Sequence, residues 1–216
     1  MNVVSWGRNT PLENVVRTVR IQCPYHIYGC RSTVAYHEAG DHARECPCAP
    51  CRCAEPGCDF SGSPPMLLGH LEDSHSWPVQ NIRYGKAYHL RLSESSEPRR
   101  LLAAEDGGVF LAAVGAHGAR HGASVVCVRA NAAPAAGPQY TCKMLAIGNP
   151  GEITGCVETV PSSASPVRAE AEVDVPSSSV PGGDAPAAEA APLSVRRTML
   201  HGQFEEMRLR IRIDKS

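Results

Sequence analysis

Five of the chain's ten cysteines fall within fourteen residues, "ECPCAPCRCAEPGC" at positions 45–58: Cys46, Cys48, Cys51, Cys53 and Cys58. His42, His70 and His75 stand on either side. Thiolates and imidazoles at this density suit a borderline-soft metal, and zinc takes four such ligands tetrahedrally. The competing chemistry is a disulfide framework. Met1 to Arg8 carries no apolar signal-peptide core, so the thiols are expected free in a reducing compartment, cytoplasmic or nuclear, and available to metal.

A shift of 28 residues sorts the cysteines: Cys23 falls on Cys51, Gly29 on Gly57, Cys30 on Cys58 and His42 on His70. Two units follow, C-x6-C-x11-H-x3-C (Cys23, Cys30, His42, Cys46) and C-x6-C-x11-H-x4-H (Cys51, Cys58, His70, His75). Each unit supplies a full tetrahedral shell, so two structural zinc ions are expected. Under the same shift Cys48 and Cys53 lie over Arg20 and Tyr25 and become spare thiols. Cys53 is the alternative to Cys51, because its C-x4-C spacing to Cys58 also suits a zinc knuckle. His26 and His37 have no histidine counterpart in the second unit, and His117 and His121 sit in a glycine-dotted stretch read as loop. None of these four is expected to bind metal.

Four protein ligands leave no open position for water or substrate, so neither ion is expected to be catalytic. "PCAPC" at 47–51 matches half of a zinc deaminase signature, but the required upstream His-x-Glu is missing. DNA-reading fingers present polar helix faces, whereas "SPPMLLG" ahead of His70 is apolar and without Lys or Arg, a face suited to packing on another protein surface. The formal net charge of −1, from 21 basic and 22 acidic residues, supplies no field for nucleic acid or anionic lipid. The longest apolar stretch, near Val109–Val114, is far shorter than the roughly 20 residues that span a bilayer, so neither nucleic acid nor membrane is expected as a partner.

The elements that must position these ligands are short. "DHAREC" puts His42 and Cys46 at i and i+4 of one helix face, and "SPPMLLGHLEDSH" reads as a helix capped by Ser63 with Pro64 first, loosening near Ser74. Ahead of them, "TPLENVVRTVR" carries a capping box (Thr10, Glu13) and apolar Leu12, Val15, Val16 and Val19, an amphipathic helix expected to seal the first finger. After His75 the pattern turns to period two: "AYHLRLS", "VFLAAVG", "ASVVCVRA", "YTCKMLAIG", "EITGCVETV" and "EEMRLRIRID" read as strands of an antiparallel sandwich. Cys127, Cys142 and Cys156 fall one per strand, as small apolar residues. Residues 161–193, 20 of 33 being Ala, Ser or Pro and none aromatic, are expected to be disordered. The expected organisation is a helix or linker at 1–20, a double zinc finger at 21–80, and a sandwich formed by 81–160 and 194–216 around the insertion.

The paired C-x6-C-x11-H units, the linker Pro47 to Pro50 and "GCDFSGSPPMLLGHLEDSH" resemble the seven-in-absentia (SIAH/SINA) ubiquitin ligases, nearest to their SINA-like branch. "EDGGVFLAAV" looks like a stretch of that family's substrate-binding domain. The resemblance implies SIAH-type fingers followed by a TRAF-like β-sandwich, protein substrates held as peptide segments, and a homodimer or a heterodimer with RING-containing members. Family members carry a RING ahead of the fingers. Here the first cysteine is Cys23, so no RING is expected to fit before it and no autonomous transferase activity is expected; a start upstream of Met1 is the alternative. The implied role is substrate recognition in ubiquitination and proteasomal degradation with a RING supplied in trans, or a non-enzymatic decoy that inhibits RING-containing members.

Overall fold

The computed structural model describes residues 9–117, 120–131, 138–148, 167–182 and 191–216. The chain opens with helix α1, Thr10–Thr18. Its N-cap is Asn9, one residue ahead of the expected Thr10, and the Asn9 side-chain oxygen accepts from the Leu12 amide at 3.1 Å. The expectation that α1 seals the first finger is corrected: Leu12 and Val15 are 58% and 56% exposed, and no α1 residue is buried.

Two small units follow on one plan. In the first, the hairpin β1 (Arg20–Gln22) and β2 (Thr33–Ala35) leads to helix α2 (Ala39–Glu45). In the second, the hairpin β3 (Cys51–Arg52) and β4 (Ser61–Gly62) leads to helix α3 (Pro64–His75). Helix α3 starts after Ser63 as its sequence predicts and runs through to His75, where Ser76 takes a left-handed conformation and donates back to the Glu72 carbonyl.

The rest is a two-sheet sandwich. Strands β5 (Val79–Ile82), β7 (Arg99–Ala104), β8 (Val109–His117), β9 (Arg120–Val128), β12 (Ser177–Ser178) and β13 (Leu193–Arg196) form one sheet. Strands β11 (Arg168–Asp174), β10 (Tyr140–Ile147), β14 (Met207–Lys215) and β6 (Ala87–Leu92), in that spatial order, form the other. Pairing is antiparallel except for β5 on β7 and β12 on β9. Leu102, Phe110 and Val125 from one sheet meet Leu90, Met144, Leu209 and Ile211 from the other in the main core. Strand β14 alternates as its sequence predicts, with Met207, Leu209, Ile211 and Ile213 buried and Arg208, Arg210 and Arg212 exposed.

Two expectations change here. Within the stretch expected to be disordered, residues 168–174 form β11, bonded along seven residue pairs to β10, and β12 follows; residues 161–166 and 183–190 lie outside the described residues. The glycine-dotted stretch around His121 is strand rather than loop, with His121 buried opposite Val195. "EITGCVETV", with Cys156, also lies outside the described residues.

The second finger is packed on the sandwich. Leu67 and Leu71 of α3, with Cys51 and Trp77, form a second core with Leu101, Val109, Leu111 and Val128 on the outer face of the larger sheet. The protein surface that the apolar finger face was expected to meet is thus the chain's own. Arg99 bridges Glu55 at 2.9 Å while its guanidinium lies 4.9 Å from the Trp77 ring centroid.

Candidate metal centres

Each hairpin ends where a cysteine is needed. In the first unit Cys23 directly follows β1, and its amide donates to Ser32 O at 3.0 Å, the residue just before β2. Gly29, at φ 97°, turns the chain into Cys30. Helix α2 then presents His42, and Cys46 follows as its C-cap. The side-chain ligand atoms of Cys23, Cys30, His42 and Cys46 lie within 4.8 Å of one another. Cys23 Sγ is 3.7 Å from Cys46 Sγ, and Cys30 Sγ is 3.6 Å from His42 Nε2.

The second unit repeats the plan with one change. The cysteine that directly follows β3 is Cys53, and its amide donates to Phe60 O at 3.0 Å, the residue just before β4. Gly57, at φ 77°, turns the chain into Cys58. Helix α3 supplies His70 and His75. The group that closes is Cys53, Cys58, His70 and His75, again within 4.8 Å, with Cys53 Sγ to His75 Nε2 3.4 Å, Cys58 Sγ to His70 Nε2 3.2 Å and the two Nε2 atoms 3.2 Å apart.

Cys51 is therefore corrected to Cys53. Cys51 sits inside β3 opposite Gly62, in the hairpin position that Ile21 opposite Val34 holds in the first unit. It is fully buried among Leu67, Leu71 and Trp77, and burial pushes its thiol up to about 12, so it behaves as an apolar residue. The loop between the cysteines is six residues in the first unit and four in the second, and an ungapped shift misplaces the first ligand by that difference. Cys48 remains outside both groups, half-buried against the first. His26 turns away, its Nδ1 3.2 Å from Cys23 O, and His37 lies 3.8 Å from Glu38 at the surface.

The donor sets fit zinc. Zn–S near 2.3 Å and Zn–N near 2.0–2.1 Å separate tetrahedral ligand atoms by about 3.3–3.8 Å; three of the contacts above, at 3.4, 3.6 and 3.7 Å, fall in that range, and the two made by His70 Nε2, at 3.2 Å, lie just below it. In the first group burial pushes Cys46 up to about 12. At Cys30 burial also raises the thiol, but hydrogen bonds with Ser32 and His42 outweigh it and bring it to about 6. Both groups have four protein ligands and no open position, so they hold structure and do not activate water.

Residues outside the ligand sets steady them. The Asn131 side-chain amide, three residues past β9, donates to Ala43 O at 2.9 Å and Cys46 O at 3.1 Å, tying the end of α2 to the sandwich. Phe60 stacks on His70 with ring centroids 4.0 Å apart. Neither contact has a local sequence signal, since both depend on tertiary approach.

Comparison with known proteins places this region. The family model for the Sina zinc finger matches residues 14–88. SINA-like 9 of Arabidopsis thaliana is 30% identical over 84 residues, 37% of this chain and 30% of that protein. The E3 ubiquitin-protein ligase sina of Drosophila melanogaster is 34% identical over 70 residues, 32% of this chain and 22% of that protein. The E3 ubiquitin-protein ligase SINA-like 3 of Arabidopsis thaliana is 31% identical over 80 residues, 34% of this chain and 26% of that protein. The matched part of the chain thus spans less than a third of these relatives' own length.

Proposed function

We propose, from the match of its zinc-finger region to the Sina zinc-finger family and to the sina and SINA-like ligases, that the chain is a recognition module of a SINA-like ubiquitin ligase. It binds segments of target proteins and brings them to ubiquitination and proteasomal degradation. The observation that carries this reading is the pair of closed four-ligand groups, the second packed directly on the sandwich. Such a unit presents a surface and performs no bond chemistry at its metals. The sandwich, read as TRAF-like, is the substrate-binding part. Ubiquitin transfer in this proposal draws on a RING carried by a family member bound as a dimer partner. Cytoplasmic or nuclear residence belongs to the same proposal.

The test is a reconstituted ubiquitination reaction with a conjugating enzyme and a RING-containing family member. Adding the chain is expected to increase ubiquitin chains on a shared target. A decrease identifies a decoy that occupies the ligase or its targets, and no change on either substrate or ligase contradicts both roles.

A further inference from the structure

The second finger covers the outer face of the larger sheet, whereas no described residue covers the outer face of the four-stranded sheet. That face carries Arg208, Arg210 and Arg212 of β14, with Arg91 and His89 of β6 on one side and Lys143 of β10 on the other. The register sets like charge beside like at Arg208 opposite Arg91 and at Arg212 opposite Lys143, with Arg210 opposite His89. Like charges directly opposite weaken a sheet. Lys143 is balanced by Glu172 at 3.0 Å and Arg212 by Asp214 at 2.8 Å. Arg91, Arg208 and Arg210 have no carboxylate partner among the described residues. Beside them lies a shallow depression of about 440 Å³, with Leu145 between Arg210 and Arg212 on one side and Glu170 and Glu172 on the other.

We propose that this face docks an extended, acidic segment of a partner protein. Alternate residues along β14 are about 6.6–6.8 Å apart, the spacing of alternate side chains in an extended peptide. Successive Asp or Glu side chains can therefore reach Arg208 and Arg210, turning cross-strand repulsion into charge-assisted hydrogen bonds. An apolar side chain of the same segment fills the depression over Leu145. The acidic row Glu170, Glu172 and Asp174 of β11 lies two strand spacings from β14, about 10 Å away, and opposes any broad polyanion. With a net charge of −1 there is also no long-range field to gather one. These observations favour a short protein segment over nucleic acid or an anionic membrane.

The inference rests on the recognition-module reading and names its partner's chemistry. Its test is a fluorescence-anisotropy titration of the zinc-loaded full chain with a fluorescein-labelled peptide of alternating Glu and Ala around one Leu. Binding that weakens with salt is expected. Arg208→Glu/Arg210→Glu should weaken it by about tenfold or more, while Arg17→Glu/Arg20→Glu, the same charge change on α1 and β1, leaves it unchanged. Zinc content and circular dichroism establish that both variants are folded. The proposal is overturned if the wild-type chain does not bind the peptide or the two variants lose binding equally. Tighter binding of a single-stranded oligonucleotide or a phosphatidylserine vesicle also overturns it, as does a wild-type dimer that the face variant turns into monomer. A target-directed effect in the ubiquitination reaction without peptide binding defeats this inference alone.

Discussion

Lys215 Nζ lies 2.5 Å from Asp106 Oδ2, and the Tyr84 hydroxyl donates to Asp106 Oδ1 at 2.9 Å, so one carboxylate joins the β7–β8 turn to the end of β14. Burial raises the Asp106 carboxyl, but Lys215, the Gly108 amide and Tyr84 outweigh it and hold it below its ordinary 3.8; the Asp106 bond in turn raises Lys215 above 10.5. A lowered acid contributes stability above its ordinary pKa and loses it as pH falls through the folded value. A raised lysine keeps its contribution below its ordinary pKa and loses it as pH rises through the folded value. Between these limits the pair is constant. Asp106→Asn should therefore cost a pH-independent amount from pH 5 to 9, below about 1 kcal/mol because both side chains are over one-third exposed. The difference should vanish in acid, and denaturant titrations at several pH values measure it. At this same scale, seven of the eight ligands are legible from residue type and spacing. The eighth is obscured because Cys51 and Cys53 have the same chemistry, and only the hairpin, which sets Cys51 where Ile21 stands, separates them.

Among the elements, α3 has two tasks: His70 and His75 reach the metal group while Leu67 and Leu71 fill the core against β8 and β9. Leu71→Ala should destabilise the chain by about 2–5 kcal/mol through the cavity it leaves, seen as a lowered denaturation midpoint, with two zinc ions still bound in the native state. Strands with one wet face were legible, as in "MRLRIRID". Strand β7 was not, because Leu101 packs on the finger and Leu102 in the sandwich core, and burial on both faces erases alternation. Strand β11, "RAEAEVD", has the composition of a solvated linker; its place comes from backbone pairing with β10, which composition does not report.

Across the whole molecule the two fingers differ in what holds them. The buried cluster of the first consists of Cys23, Cys30 and Cys46, its own ligands, with Tyr25 and Cys48 alongside. The second adds an apolar seat on the sandwich, and the sandwich has a separate core of its own. Structural zinc supplies about 10–16 kcal/mol of binding free energy in isolated fingers, and the first finger has little else. Chelation should therefore raise amide hydrogen exchange throughout residues 20–46, raise it less in α3, and leave β8, β9 and β14 protected. Uniform loss of protection would show instead that the metal holds the entire fold.

The most direct test of the central claim, two closed zinc groups with Cys53 completing the second, is zinc quantification on purified wild-type, Cys53→Ser and Cys51→Ala proteins. Two ions per chain are expected in the wild type and in Cys51→Ala, and one in Cys53→Ser. One ion in Cys51→Ala with two in Cys53→Ser, or no zinc in the wild type, would contradict it.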